Sequence, residues 1–423
     1  MKMSKGQEFD AMSFLNEVKS NYPRAISMAS GRPDSNYFML KDQLVPFIHS
    51  LGNSDPSSAN NFESELGQYH SARGTILQEL VMYYKKDFDI ELKMNQIMVT
   101  SGAQEAFALA VQVFCQENHV VAYEDPSYIG LSTFAKLAKC TALPIKMDKE
   151  STICLDSLEA NLKTQRSTGK PIRLLYVIPD FQNPTGAVMS LTKRTKILQL
   201  AQEYDFYILE DNAYGFFRYD GVSLPTLLQL DKSGRVLYVE SFSKTVFPSI
   251  RLAAVILKVS DFASKGVNYL EEMIRLKGYV TLNTSAINQL ILKSILLQNE
   301  YSIQEFVKEK RLAYSKKRDC LIRELRKKTF EIGFSLEWVK PQGGFFIMIK
   351  TPFCLSNNDV IMAAEDFGIV FCLYSFFTTS NTKTPYIRLS FSDLTLDDIA
   401  IGVDRLINFL TFKHDIIYGR PNL

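Results

Sequence analysis

The sequence predicts an α/β protein: a mostly parallel sheet with helices on both faces, followed by a smaller α+β domain. Three observations carry this reading. Between about Asn95 and Lys258, short apolar β-rich runs alternate with helical stretches. Those runs are continuously apolar, as strands covered on both faces are, and do not alternate as a half-solvated sheet would. Beyond that region the pattern changes to mixed strands and long charged helices, as in a smaller packed domain. At 423 residues the chain also exceeds the usual size of a single core.

In chain order, QIMVTS (96–101) reads as a buried strand and AQEAFALAVQVFCQ as the helix after it. VVAYED is the next strand, followed by IGLSTFAKLA with helical spacing, then a weaker strand and helix. LLYVIPD is an apolar run ending in a turn, and LTKRTKILQLAQEYD an amphipathic helix opened by a Thr cap. FYILED, RVLYVES and RLAAVILK are further strands. In the second half, about Ile303 to Lys328 forms a long helix rich in Lys, Arg and Glu, expected to be partly solvated. SLEWVK, GFFIMIK and YIRLSFS read as strands, NDVIMAAEDFG and LDDIAIGVDRLINFL as helices. The Ser-, Asn- and Gly-rich stretch SLGNSDPSSANNFESELGQYHSARG is a long loop, either disordered or functional. The expected division is an N-terminal segment, 1–45, packing with the small domain, a large domain, 46–295, and a small domain, 296–423.

Composition removes several function classes. A net charge of +2 gives no reason to expect nucleic acid or a membrane surface as partner. Six cysteines lie scattered at 115, 140, 154, 320, 354 and 372, which argues for a reducing compartment and against a disulfide framework or zinc site. Four histidines show no metal-ligand pattern, so no metal is expected. The start, MKMSKGQEFDAMSFL, lacks the apolar core of a signal peptide, and no run is long enough to span a bilayer. The expectation is a cytoplasmic enzyme.

Polar residues collect where the expected strands end, which is where such sheets carry their chemistry. Ser101-Gly102-Ala103-Gln104 follows QIMVT and opens a helix, whose free N–H groups favour an anion. Asn183 lies in DFQNPTG after LLYVIP; Asp211 and Tyr214 lie in EDNAYGFFRYDG; Ser241, Ser243, Lys244 and Arg251 lie in SFSKTVFPSIR. Each motif alone has an ordinary reading, such as a turn or a solvent-facing lysine. The ordered series Asn183, Asp211, Tyr214, Lys244, Arg251 on successive strand ends does not.

Together these stretches resemble the fold-type I pyridoxal 5′-phosphate (PLP) aminotransferases of class I/II, over nearly the whole chain. EDNAYGFFRYDG and SFSKTVFPSIR resemble above all the 2-aminoadipate and kynurenine aminotransferase group, and the aminotransferase-like domain of GntR-type regulators. The resemblance implies a seven-stranded type of major-domain sheet and PLP as cofactor. It also implies that Lys244 condenses with the cofactor aldehyde and then moves a proton, acting as base and acid. A lysine near its usual pKa of ~10.4 is a poor nucleophile, and cationic neighbours such as Arg251 are expected to lower it. Asp211 would hold the ring nitrogen protonated. Asn183 and Tyr214 would meet the ring's 3-oxygen, and Tyr128 would stack on the ring. Gly102, Ala103, Gln104, Ser241, Ser243 and Arg251 would receive the phosphate, together with Tyr69 of a neighbouring subunit in a homodimer. Arg388, in YIRLSFS, would bind the substrate α-carboxylate in a two-pronged pairing. Gly31 would let backbone pass close to the substrate, to which Asn183 also contributes.

The pattern departs from these relatives in two places. Ser249 stands where they usually have glycine, and FCLYSFFTT lacks their Pro-Gly, with Tyr374, Phe376 and Phe377 crowding a region that usually lines the substrate pocket. Arg32 faces either an acidic substrate side chain or solvent. The leading expectation is transamination between an L-amino acid and a 2-oxo acid within amino acid metabolism or biosynthesis. Elimination, replacement or cyclisation with the same residues is the alternative. A PLP-binding sensor is the third reading, for which the chain start leaves no room for a winged helix. No G-x-G-x-x-G or G-x-x-x-x-G-K-[ST] supports a nucleotide-binding reading.

Overall fold

A computed structural model describes residues 14, 20–42, 45, 67–258, 268–330, 332–380 and 383–419. The N-terminal part contributes β1 (Ile26–Ser27). The large sheet is made of β2 (Ile97–Thr100), β3 (Val120–Asp125), β4 (Thr141–Lys146), β5 (Ile172–Val177), β6 (Tyr207–Asn212), β7 (Val236–Ser241) and β8 (Ala253–Leu257). Its seven strands run in the order β2-β8-β7-β6-β5-β3-β4. All neighbours are parallel except β8, which is antiparallel to both β2 and β7.

The continuous apolar runs explain this sheet. Every residue of β2, β6, β7 and β8 is buried, because helices cover both faces. Burying each Val, Leu or Ile in them contributes about 1.5–3 kcal/mol. The two faces carry separate apolar clusters, one holding Ile208, Tyr238 and Ala254, the other Leu209, Val239 and Val255, as strand alternation requires.

The expected strands and helices form, with local corrections. The helix Leu191–Tyr204 is capped by Ser190, whose Oγ accepts the Lys193 N–H; the expected Thr cap, Thr192, lies inside the helix. Ser190 wins because its extended backbone places the oxygen below the free N–H groups of the first turn. The long charged helix breaks at Val307 into Ile303–Phe306 and Lys308–Thr329. It is also less solvated than its composition suggests: Lys310, Lys317 and Arg318 are buried, each against carbonyl or carboxylate oxygens. The strand in SLEWVK shortens to β9 (Glu337–Trp338).

The second sheet joins β9 to β10 (Phe346–Lys350), β13 (Tyr386–Ser390) and β12 (Cys372–Leu373), all antiparallel, in the order β12-β13-β10-β9. The helix Asn357–Asp366 precedes β11 (Ile369–Val370), and Leu396–Tyr418 follows the sheet. β1 pairs in parallel with β11, and Phe14, Met28 and Ala29 share an apolar cluster with Leu321, Ile347 and Leu406. Of the long Ser- and Asn-rich loop, residues 50–66 lie outside the described residues. No helix among the described residues is long and apolar enough to cross a membrane, and none of their His, Cys, Asp and Glu side chains form a metal-binding group.

Candidate active site

The ends of β2, β3, β5, β6 and β7 open on a cavity of about 670 Å³, lined also by Arg32, Pro33, Ser35, Phe38 and Asp393. Ten of the residues expected to meet the cofactor or substrate line it. They are Ala103, Gln104, Tyr128, Asn183, Asp211, Tyr214, Ser241, Ser243, Lys244 and Arg251.

Lys244 stands on a short helix, Phe242–Thr245, that begins where β7 ends. Its Nζ donates to the Gly31 carbonyl at 2.9 Å. Its pKa is pushed down to about 8 by burial first, then by Arg388, Arg251 and Arg32, while Asp211 opposes the shift. Burial therefore leads, and Arg251, the expected agent, follows Arg388. At neutral pH a usable fraction of the amine is unprotonated.

Asp211, near the end of β6, is buried and receives a hydrogen bond on Oδ2 from the Tyr176 hydroxyl at 2.7 Å. Its Oδ1 is buried with no partner among the described residues. Burial raises its pKa to about 6, against the Tyr176 bond and the Lys244 charge. A carboxylate so desolvated, with one oxygen unmet, is a ready partner for a cationic N–H. Tyr214, 6% exposed, packs its ring against Phe345 and Phe346 at 5.3 and 5.5 Å. Burial raises its phenol above the usual range, so it stays a neutral donor.

A second group of residues gathers at the start of the helix after β2. Gly102 takes φ +84° ahead of the helix Ala103–Phe114, and a Cβ there would lie 2.5 Å from the Arg251 guanidinium. Arg251 reaches Ser243 Oγ at 3.4 Å and the Ser101 carbonyl at 3.3 Å, and Ser241 Oγ accepts the Ser243 N–H. A cation, two hydroxyls and the free N–H groups of a helix start thus converge. Tyr128 is bonded through its hydroxyl to Gln104 Nε2, and burial pushes its pKa up to about 12.

Two expected residues, Gly31 and Arg388, sit beside the cavity. Gly31 offers its carbonyl to Lys244, and a Cβ on it would lie 2.5 Å from the Phe346 ring. Arg388, 2% exposed, lies behind the wall and meets it through Asn183 Oδ1 at 2.7 Å. Its guanidinium is sandwiched between Phe346 and Phe377, 4.0 and 4.4 Å away. Tyr69 lies apart, 81% exposed. The segment 374–377 leaves the cavity alone: Phe376 packs on Phe14, Tyr374 faces Tyr386, and the Phe377 carbonyl takes the Ser127 N–H. Ser249 and Arg32, by contrast, line the cavity.

The profile of the family described as aminotransferase class I and II matches residues 59–406. The chain belongs to that family. It is 32% identical over 411 residues to a (S)-3,5-dihydroxyphenylglycine transaminase of Amycolatopsis orientalis, covering 95% of this chain and 92% of the relative. It is 29% identical over 320 residues to a 2-aminoadipate transaminase of Thermus thermophilus, covering 75% and 76%. Its structure resembles that of Pyrococcus horikoshii kynurenine aminotransferase in complex with PMP, with a TM-score of 0.82, 25% identity and 97% of each chain covered. This aminotransferase therefore uses PLP and moves an amino group between an amino acid and a 2-oxo acid. The lysine, the orphan carboxyl oxygen and the guanidinium and hydroxyls gathered at the helix start fit that cofactor.

Sequence reasoning missed some of the aminotransferase's site. Tyr176, the partner of Asp211, was legible only as a phenol in a buried strand, which needs somewhere to send its hydroxyl. Phe38, Phe107 and Asp393 line the cavity without any motif.

Proposed function

We propose that Lys244 is the residue that holds PLP covalently, and that this aminotransferase runs its two half-reactions there. The observation that carries this is that Lys244 and Asp211, the latter with one carboxylate oxygen unmet among the described residues, line one cavity. When bound, PLP supplies the electron sink that lets the substrate Cα–H bond break. Asp211 keeps the ring nitrogen protonated. Asn183 and Tyr214 orient the ring through its 3-oxygen, and Tyr128 covers its face. Gly102, Ala103, Gln104, Ser241, Ser243 and Arg251 hold the phosphate by charge and N–H donation. Lys244 Nζ, lowered to about 8, would take the proton from the substrate Cα and deliver it to the cofactor's C4′, across the intervening nitrogen. Arg388, stacked and buried with its Nε unmet among the described residues, receives the substrate carboxylate at Asn183, beside Gly31.

The protein works as a cytoplasmic homodimer in amino acid biosynthesis, with Tyr69 completing the partner's phosphate site. The exposed Tyr69 ring and the six free cysteines support this. Residues 1–45 act with the small domain, 296–423, against the large domain, 46–295.

The test is the visible spectrum of the purified protein, followed by a panel of L-amino acids without oxo acid. The panel includes 3,5-dihydroxyphenylglycine, 2-aminoadipate and kynurenine, the substrates named for the relatives. A lysine-bound PLP band that converts to the pyridoxamine form names the donor. The same band surviving in Lys244→Ala refutes the role of Lys244.

A further inference from the structure

Lys244 is set between two stretches of backbone. One is its own short helix; the other is the loop Gly31–Asp34, whose Gly31 carbonyl receives its Nζ. Both are gripped by one face of the helix Lys308–Thr329. Lys310, 2% exposed, donates from Nζ to the carbonyls of Thr245 at 2.6 Å and Val246 at 3.3 Å, the two residues after Lys244. One turn on, the buried Tyr314 hydroxyl accepts the Asp34 N–H at 2.8 Å. A further turn on, Lys317 pairs with Asp34 Oδ2 at 2.6 Å and donates to the Ser392 carbonyl at 2.9 Å. Ser392 in turn donates to the Arg32 carbonyl at 2.5 Å. The spacing 310, 314, 317 puts all three on one face of a rigid helix.

We infer that Lys310, Tyr314 and Lys317 are positioning residues that fix the Lys244 amine relative to the Gly31 loop. The inference rests on the reading of Lys244 as the cofactor-bearing lysine. None of the three lines the cavity, so they act through backbone. Packing alone does not ask for amines here. An apolar side chain at 310 would fill the space without the cost of desolvating nitrogen. The amine instead meets two carbonyls on one segment, while Tyr314 and Lys317 hold the opposing one. Burial lowers Lys310 to about 7, with Asp34 opposing, and in either state its N–H groups suffice for two acceptors.

The test uses the holoenzyme with Lys310→Met and Tyr314→Phe; the latter removes one hydroxyl and keeps the ring. Three quantities are read: the pH midpoint of the lysine-bound PLP band, single-turnover kinetics with an accepted amino acid, and the thermal midpoint. The expected result in both variants is a midpoint displaced by about half a unit or more. The maximal single-turnover rate falls roughly tenfold, as a small misplacement of a reacting group does, while half-saturation stays within about twofold. A spectrum and rate at wild-type values with only a lower thermal midpoint overturn the inference. If Lys310→Met does not fold, Tyr314→Phe decides alone. A PLP band that survives Lys244→Ala on the unaltered helix overturns the reading of Lys244, and this inference with it. Wild-type behaviour in Tyr314→Phe, with that band lost in Lys244→Ala, overturns this inference only.

Discussion

Replacing Tyr176 by Phe removes one oxygen from the site and leaves the ring packed edge-on against Phe107 at 5.5 Å. That oxygen donates to Asp211 Oδ2 at 2.7 Å, and the other carboxylate oxygen has no partner among the described residues. A hydrogen bond to an ionised group is worth about 1.5–3 kcal/mol, and one pKa unit is about 1.4 kcal/mol. Removing it disfavours the charged form, so the Asp211 pKa rises from about 6 by roughly 1–2 units. At pH 7 the ionised fraction then falls from about nine-tenths to between a half and a tenth. PLP held through a protonated ring nitrogen needs the carboxylate, so its affinity at pH 7 drops about 2- to 10-fold and recovers by about pH 8 to 9. The assay is PLP affinity of the apo-protein, followed by absorption across pH 5.5 to 9. The limb set by Lys244, at about 8, is common to both proteins, so only the acidic limb moves, and it moves upward. Superimposable profiles would refute the assignment of Asp211 and of Tyr176 as its support.

Arg388→Lys keeps the charge but loses the planar fork between Phe346 and Phe377. Half-saturation for both amino acid and oxo acid should rise about 100-fold with the PLP spectrum unchanged, and a changed spectrum with unchanged KM would sink the carboxylate role. In Gly102→Ala, a methyl 2.5 Å from Arg251 at φ +84° should weaken PLP binding roughly tenfold or more, read by equilibrium titration. Wild-type affinity there would mean that the phosphate sits elsewhere. Glu240, buried beneath the hydroxyls of Tyr83, Tyr84 and Tyr238, is raised to about 8 by burial. Between its unfolded value, near 4.5, and about 8 the native state binds the extra proton, so this group makes stability fall as pH rises. Glu240→Gln should flatten the decline of the thermal midpoint from pH 6 to 8, and an unchanged slope would show that Glu240 is ionised throughout.

What could be read in the sequence, and what could not, divides along a physical line. Strand interiors were legible because burial on both faces forces runs such as VLYVES and AAVIL, and most residues that line the cavity were legible because they sit where those runs stop. The direction of β8 was not, since an apolar run buries equally well in either direction. Tyr176 looked like core because its ring is core; only its hydroxyl belongs to the site. Lys310 and Lys317 were hidden more deeply. In a helix as charged as Lys308–Thr329, an amine that will bind backbone carbonyls has the same letter as one that will face water. The periodic signal is apolar, and these residues interrupt it on the face that matters. The residues that set the gap around Lys244 are therefore those whose chemistry contradicts their position on the helix, and such residues become visible only when the carbonyls they meet are brought from 65 and 75 positions away.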